Sequence, residues 1–312
     1  MDSVFKYGYC HRYRPGKGNQ ITRSDNTPEP MDTQQWSDGF TTRWVPSDIR
    51  RNFEDRKELA EKLGWTDNNV KYRFNHWGYR HQGEFVENSN ALVALGCSLT
   101  FGVGINYEQT WPYYVARELG LDCVNLAQPG TGIQASYRAA KMWLPVIKPK
   151  AVMFYVPDPH RLEVWPYPDV REEEHYADSV KSIGPWQTDE YKEYFKMSMS
   201  SRETAIRREA YMDAMRHICR ESKFIDIPAT EQTAAVGRTE TDVTNDMIVV
   251  DKVHNIAEET GTKLALKKNP NAEFEGSPNT DEARWARDMV HPGPRVMRDN
   301  IAPMFIRRYR AS

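Results

Sequence analysis

Short apolar runs alternate with amphipathic stretches through the middle of the chain. Ala91-Leu92-Val93-Ala94-Leu95 is a continuous apolar run closed by Gly96, the pattern of a strand buried on both faces. A helix fits 110–119, capped by Thr110 and ended by Gly120, with Trp111, Tyr114, Val115 and Leu119 on one side. Asp122-Cys123-Val124-Asn125-Leu126 predicts a second strand. Ile133, Tyr137, Ala140, Leu144 and Ile147 recur at steps of three and four, which predicts a second helix broken near Pro149. Ala151-Val152-Met153-Phe154-Tyr155-Val156 predicts a third buried strand. Strand, helix, strand, helix, strand with short connections is the pattern of a parallel α/β sheet.

The flanks read differently. Residues 1–88 have turn formers clustered at 14–19 and 25–30, one helix at about 47–63 with Ser47 as N-cap and Gly64 beyond its end, and a strand at Val70–Phe74 before a turn at Asn75-His76-Trp77-Gly78. Their few apolar residues predict an extension that wraps a core formed by 89–312. Regularity lapses over 157–199, rich in Pro, Trp, Tyr and acids, so an insertion is expected at about 160–200, with Glu172-Glu173-Glu174 on a solvated surface. Ser200-x-x-Glu203 is a capping box opening a helix whose stripe is Tyr211, Met212, Met215, Ile218 and Cys219. Phe224-Ile225-Asp226-Ile227 returns as a strand, 228–287 stay unassigned, and a last helix runs from about 293 to 309 with Val296, Ile301, Phe305 and Ile306 inward.

Composition narrows the class. Apolar residues make 39% of 312, which is lean for a globular chain and leaves room for one sizeable core plus much polar surface. No apolar run is long enough to span a membrane, and the N-terminus lacks a secretory h-region, so a cytoplasmic location and no membrane partner are expected. The net charge of −2 gives no single-sign field, which disfavours nucleic acid as partner. Lys6, Tyr7, Tyr9, Arg12, Tyr13, Arg14 and Lys17 interleave basic and aromatic residues as single-strand binders do; a solvated tail or a partner contact accounts for them more simply. Cys10, Cys97, Cys123 and Cys219 have neither disulfide-framework nor zinc spacing, and the 8 histidines form no H-E-x-x-H, so no metal and no cofactor are expected.

Three segments carry candidate chemistry. Ser98, in Leu95-Gly96-Cys97-Ser98-Leu99-Thr100-Phe101-Gly102, follows the carboxyl end of a buried strand, where open α/β sheets bind their ligands. Gly102-x-Gly104 lacks the third glycine of a dinucleotide loop, and no P-loop occurs. Asp288-Met289-Val290-His291-Pro292-Gly293 spaces a carboxylate so that a tight turn can set it beside one imidazole nitrogen, leaving the other for a nucleophile. In Asn125-Leu126-Ala127-Gln128-Pro129-Gly130-Thr131-Gly132, Gly130 either turns an N–H toward an oxyanion or simply caps a helix.

Taken in chain order, these segments resemble the SGNH (GDSL-like) hydrolase family over roughly residues 88–160 and 280–310. Gly96-Cys97-Ser98-Leu99 stands where the family has Gly-Asp-Ser-Leu, Gly130 at the second-block glycine, and Asp288 and His291 in the last block. Thr100-Phe101-Gly102, Thr110-Trp111-Pro112, His291-Pro292-Gly293-Pro294 and Asn75-His76-Trp77-Gly78-Tyr79-Arg80 look like one branch of it. The resemblance implies a three-layer α/β/α sandwich around a parallel sheet. It implies Ser98 as nucleophile, His291 as base, Asp288 as its orienting carboxylate, and an oxyanion hole from Ser98, Gly130 and the third-block position. That position holds Asp158, in Val156-Pro157-Asp158-Pro159-His160-Arg161, where the family has Asn. An ionised carboxylate cannot donate a hydrogen bond. Either Asp158 is protonated, or His160 or Arg161 supplies the donor, or activity is weak.

The implied reaction is hydrolysis of a small O-acyl ester, such as acetyl on a carbohydrate, through an acyl-enzyme. His160, Arg161 and Trp165 are candidate substrate contacts. Trp165, Tyr167, Trp186, Tyr191 and Tyr194 either wall a sugar site or pack on the core. An acyltransferase on the same scaffold, and a structural or binding protein with a degenerate site, are the alternatives.

Overall fold

The computed structural model describes residues 40–45, 47–75, 77–81, 83–159, 161–164, 181–183, 201–228 and 280–312. The basic and aromatic residues of 6–17, the aromatic residues of 165–194, Ser200 and residues 229–279 lie outside them.

Four strands make the central sheet: β3 (Ala91–Leu95), β4 (Asp122–Asn125), β5 (Ala151–Val156) and β8 (Lys223–Pro228), in the order β4-β3-β5-β8 and all parallel. Successive side chains of a strand point to opposite faces, and each continuous apolar run divides accordingly. Leu92, Ala94, Met153, Tyr155, Ile225 and Ile227 join one buried cluster; Val93, Leu95, Val152, Phe154 and Val156 join the other. On the first face lie α4 (Trp111–Leu119) and the C-terminal helix α8 (Ala302–Ala311), whose Phe305 stacks on Trp111 with ring centroids 4.1 Å apart. The second face is covered by α5 (Ile133–Ile147) and α6 (Ser201–Ile218), through Ala140, Trp143, Leu144, Met212 and Met215. The fold is a three-layer α/β/α sandwich, and its strands' double-sided burial explains why their sequences do not alternate.

The N-terminal segment packs into the first cluster. A small ribbon, β1 (Phe40–Thr42) with β2 (Tyr72–Phe74), is antiparallel, and Val45, Phe53, Trp65, Val70 and Tyr72 are buried with Leu92 and Phe101. Where one helix was expected over 47–63, two form, α1 (Arg50–Glu54) and α2 (Lys57–Lys62). Gly64 ends α2 at φ 83°, with its N–H on the Glu61 carbonyl and that of Trp65 on Ala60, a Schellman closure. A two-strand ribbon, β6 (Leu162–Val164) with β7 (Lys181–Ile183), lies inside the stretch read as irregular. At only three residues each, these strands are too short to leave a period-2 signature. Glu163 is held by the Arg138 guanidinium of α5 through two hydrogen bonds, one of 2.8 Å. The last helix begins as α7 (Pro294–Val296) and passes through a π-helical turn (Met297–Ile301) into α8.

Arg80 ties the N-terminal segment to the turn after β3. Its guanidinium is buried and donates to the carbonyls of Phe101 (2.9 Å), Gly102 (2.5 Å), Ile105 (2.6 Å) and Lys71 (3.3 Å), while lying 4.5 Å from the Tyr72 ring centroid. It thereby satisfies the carbonyls at the end of α3 (Ser98–Phe101), a four-residue helix too short to be stable alone. Replacing Arg80 by Met should strand these buried acceptors and cost at least about 3 kcal/mol of stability. Urea unfolding of the two proteins measures it.

Candidate active site

The turns that follow β3, β4 and β5 sit at one end of the parallel sheet, and their backbones interlock. Gly96 leaves β3 at φ 151°, where a Cβ would lie 2.2 Å from Thr100 Oγ1, so only glycine allows the chain to turn straight into α3. Ser98 is the first residue of α3 and only 5% exposed. Asn125, at the end of β4, is buried; its amide donates to the Thr100 carbonyl (2.7 Å) and its side-chain oxygen accepts from the Ala127 N–H (3.0 Å). The Gln128 N–H reaches the Gly96 carbonyl (3.3 Å). Gly130 is left-handed at φ 73° with open space where a side chain would stand. The Arg161 carbonyl presses so close on Gly132 that a Cβ there would be 2.5 Å from it. Asp158 lies two residues beyond β5, half-buried, its carbonyl accepting from the Arg161 N–H (3.1 Å), and Arg161 is buried. His160 and Trp165 fall outside the described residues.

The Asp-x-x-His segment forms a closed turn. His291 Nδ1 and Asp288 Oδ2 are 2.6 Å apart, while Asp288 Oδ1 accepts from the backbone N–H groups of Val290 (3.1 Å) and His291 (3.0 Å). Met289 takes the left-handed conformation at φ 56°, which lets two intervening residues bring the side chains together. The Ala286 N–H bonds the His291 carbonyl (2.9 Å), and Trp285 bridges to Pro292. Burial alone would raise the Asp288 carboxyl, but the His291 imidazole and the hydrogen bonds it accepts hold it below the ordinary aspartate value.

Gly104 joins this turn to the Ser98 segment. It sits at φ 73°, and a Cβ there would be 2.8 Å from Ala286 Cβ, 3.0 Å from the Arg287 nitrogen and 3.2 Å from the Asp288 nitrogen. Its carbonyl accepts from the Arg287 N–H (2.9 Å) and its N–H donates to the Tyr72 hydroxyl (2.7 Å). The Gly-x-Gly that fails as a phosphate loop therefore has a packing reason. Of the four side chains that build this surround, Asp48 and Arg287 escape any local motif, whereas Asn125 opens the stretch that leads to Gly130 and Arg80 ends the Asn-His-Trp-Gly-Tyr-Arg stretch.

A scan against protein-family models finds no match, and a search of curated proteins finds none. Among solved structures, an acetyl xylan esterase from the rumen bacterium Butyrivibrio proteoclasticus aligns at TM-score 0.34 and 12% identity, covering 74% of this chain and 66% of that one. The chain thus spans just under two thirds of that protein, and a likeness this loose says nothing of the reaction. Among the described residues, no helix is long and apolar enough to cross a membrane.

The lowered Asp288 carboxyl has a consequence for stability. A depressed folded value means the native state gains from ionisation above about pH 4 and loses that gain as pH falls through the lowered value. The stability gap between wild type and Asp288→Asn should be full above about pH 5 and shrink as pH falls below about 4. Denaturant titrations across that range read it directly.

Proposed function

We propose that this chain is a serine ester hydrolase of the SGNH type, acting on a small O-acyl group, with acetyl on a carbohydrate as the substrate class. The observation that carries the reading is the buried Asp288–His291 hydrogen bond, in a turn packed through Gly104 against the loop that follows Ser98. In this reading His291 Nδ1 is held by Asp288, which fixes the tautomer and leaves Nε2 as the base. Nε2 takes the Ser98 hydroxyl proton as the oxygen attacks the ester carbonyl. It then returns the proton to the departing alcohol, and water repeats the cycle on the acyl-serine. Negative charge on the carbonyl oxygen is met by the backbone N–H groups of Ser98 and Gly130. These are groups of the chain itself. The arrangement also suits transfer of the acyl group to a sugar hydroxyl, which a polyol acceptor would reveal as transacylated product.

Labelling with a fluorophosphonate tests the reading, because only an activated serine reacts. Ser98→Ala should abolish labelling and His291→Ala nearly so, with Asp288→Asn costing less than either. Cys97 precedes Ser98 at the turn and is buried, a small apolar neighbour, so Cys97→Ala should keep most activity. Equal labelling of wild type and Ser98→Ala would end the assignment. Unreactive wild type would instead favour a binding protein on this scaffold.

Asp158 gives a second test. If Asp158 holds the third-block position as an anion, it opposes the developing oxyanion, whereas one good donor there is worth on the order of 3 kcal/mol. Asp158→Asn should raise turnover of a simple aryl ester at least about tenfold at neutral pH. A strong loss in a folded variant would show that the carboxylate is needed as an anion and that the hole is built otherwise.

A further inference from the structure

Gly104 and Arg287 are joined twice, once backbone to backbone and once through the N-terminal segment. The Arg287 N–H donates to the Gly104 carbonyl (2.9 Å). The Gly104 N–H donates to the Tyr72 hydroxyl (2.7 Å), and that hydroxyl donates to Asp48 Oδ2 (2.6 Å). Asp48 Oδ2 also accepts from Arg287 Nη2 (2.5 Å), which closes a hydrogen-bonded circuit. Asp48, Tyr72 and Arg287 are all buried. Burial pushes the Tyr72 hydroxyl far up, so it keeps its proton and serves as donor and acceptor at once.

Both ends of the circuit are anchored. The Tyr72 ring stacks on Phe101, the last residue of the helix that Ser98 begins, with centroids 5.9 Å apart. The Arg287 guanidinium also donates to the carbonyls of Arg43 and Asp67 and lies 3.6 Å from the Trp44 ring centroid. Asp288 follows Arg287 directly, its nitrogen 3.2 Å from where a Cβ of Gly104 would stand, and its carboxylate holds His291.

We propose that Tyr72, Asp48 and Arg287 are positioning residues: their circuit sets where the Asp288–His291 turn stands against the loop leading from Ser98. The inference rests on reading Ser98 and His291 as nucleophile and base. Close packing at Gly104 fixes only the nearest approach of the two backbones. One backbone hydrogen bond would leave the turn free to pivot about it, and the second connection removes that freedom. The reaction is sensitive to such a pivot, because a displacement of about 1 Å can cost about a hundredfold in rate.

Tyr72→Phe removes one oxygen, keeps the ring against Phe101 and breaks the circuit at two bonds. A merely supporting hydroxyl would cost stability and leave the turnover of folded protein unchanged. Positioning predicts that kcat for an aryl acetate falls at least about tenfold while KM stays within about twofold. Arg287→Lys keeps the charge but loses the fork, and should slow kcat in the same way. The double variant should be little slower than the slower single, since a circuit opened once is already open.

Hydrogen exchange read by mass spectrometry follows the same coupling without turnover. In Tyr72→Phe, peptides spanning 102–106 and 284–292 should both exchange about tenfold faster, while a peptide from β5 keeps its protection. Asp48→Asn and Arg287→Lys carry both measurements if Tyr72→Phe does not fold. Wild-type kcat in a folded single variant, rate losses that multiply in the double, or unchanged exchange at 284–292 would overturn the proposal. So would exchange that quickens equally throughout the chain. An inert wild type would defeat the esterase reading, and the exchange measurement would then decide by itself whether the circuit holds the turn.

Discussion

Gly104 has no side chain, and the space left by that missing carbon is filled by the Ala286 methyl group and the backbone nitrogens of Arg287 and Asp288. Two parts of the chain separated by well over a hundred residues meet there at backbone distance. On one side the loop descends from the helix that begins with Ser98; on the other the turn closes into the Asp288–His291 pair. Any side chain at Gly104 would push these apart, and its φ of 73° would strain any other residue as well. The same device recurs at Gly132, pressed on the Arg161 carbonyl, and at Gly293, whose Cβ would fall 2.3 Å from the Ala283 carbonyl. The site is held by backbones in contact, with side chains locking them from behind.

Those locking side chains are polar and buried, which is costly unless each donor finds an acceptor. Arg80 spreads one guanidinium over four carbonyls, and Arg287 serves two carbonyls and a carboxylate. Arginine suits both positions because its planar fork offers several donors in fixed directions. Arg80 thereby braces the short helix that begins at Ser98, and Arg287 ties the turn that carries His291 to the N-terminal segment.

Much of the scaffold was legible in the sequence because it is local. Strands β3 and β5 announce themselves as unbroken apolar runs, and α5 by its three- and four-residue steps. The Asp-x-x-His spacing also foretold the hydrogen bond from His291 to Asp288, since a tight turn needs only those residues. What was not legible is long-range. Asp48 and Arg287 are 239 positions apart, and nothing near either one hints at the other. The split of the expected 47–63 helix into α1 and α2 was hidden too: the helical pattern continues across Asp55 and Arg56, whereas the chain breaks there, between the buried Phe53 and Ala60. Gly104 was visible as a glycine, but its purpose depends on a partner that arrives at the far end of the chain.

The central claim is that Ser98, served by His291, carries the acyl group. Wild type mixed with an activated acetyl ester, quenched in acid within the first turnover and digested, should yield one acetyl group on the peptide containing Ser98, localised to that residue by fragmentation. The His291→Ala protein should accumulate far less in the same time. An acetyl group on Cys97, or ester turnover with Ser98 unmodified at every quench time, would contradict the account.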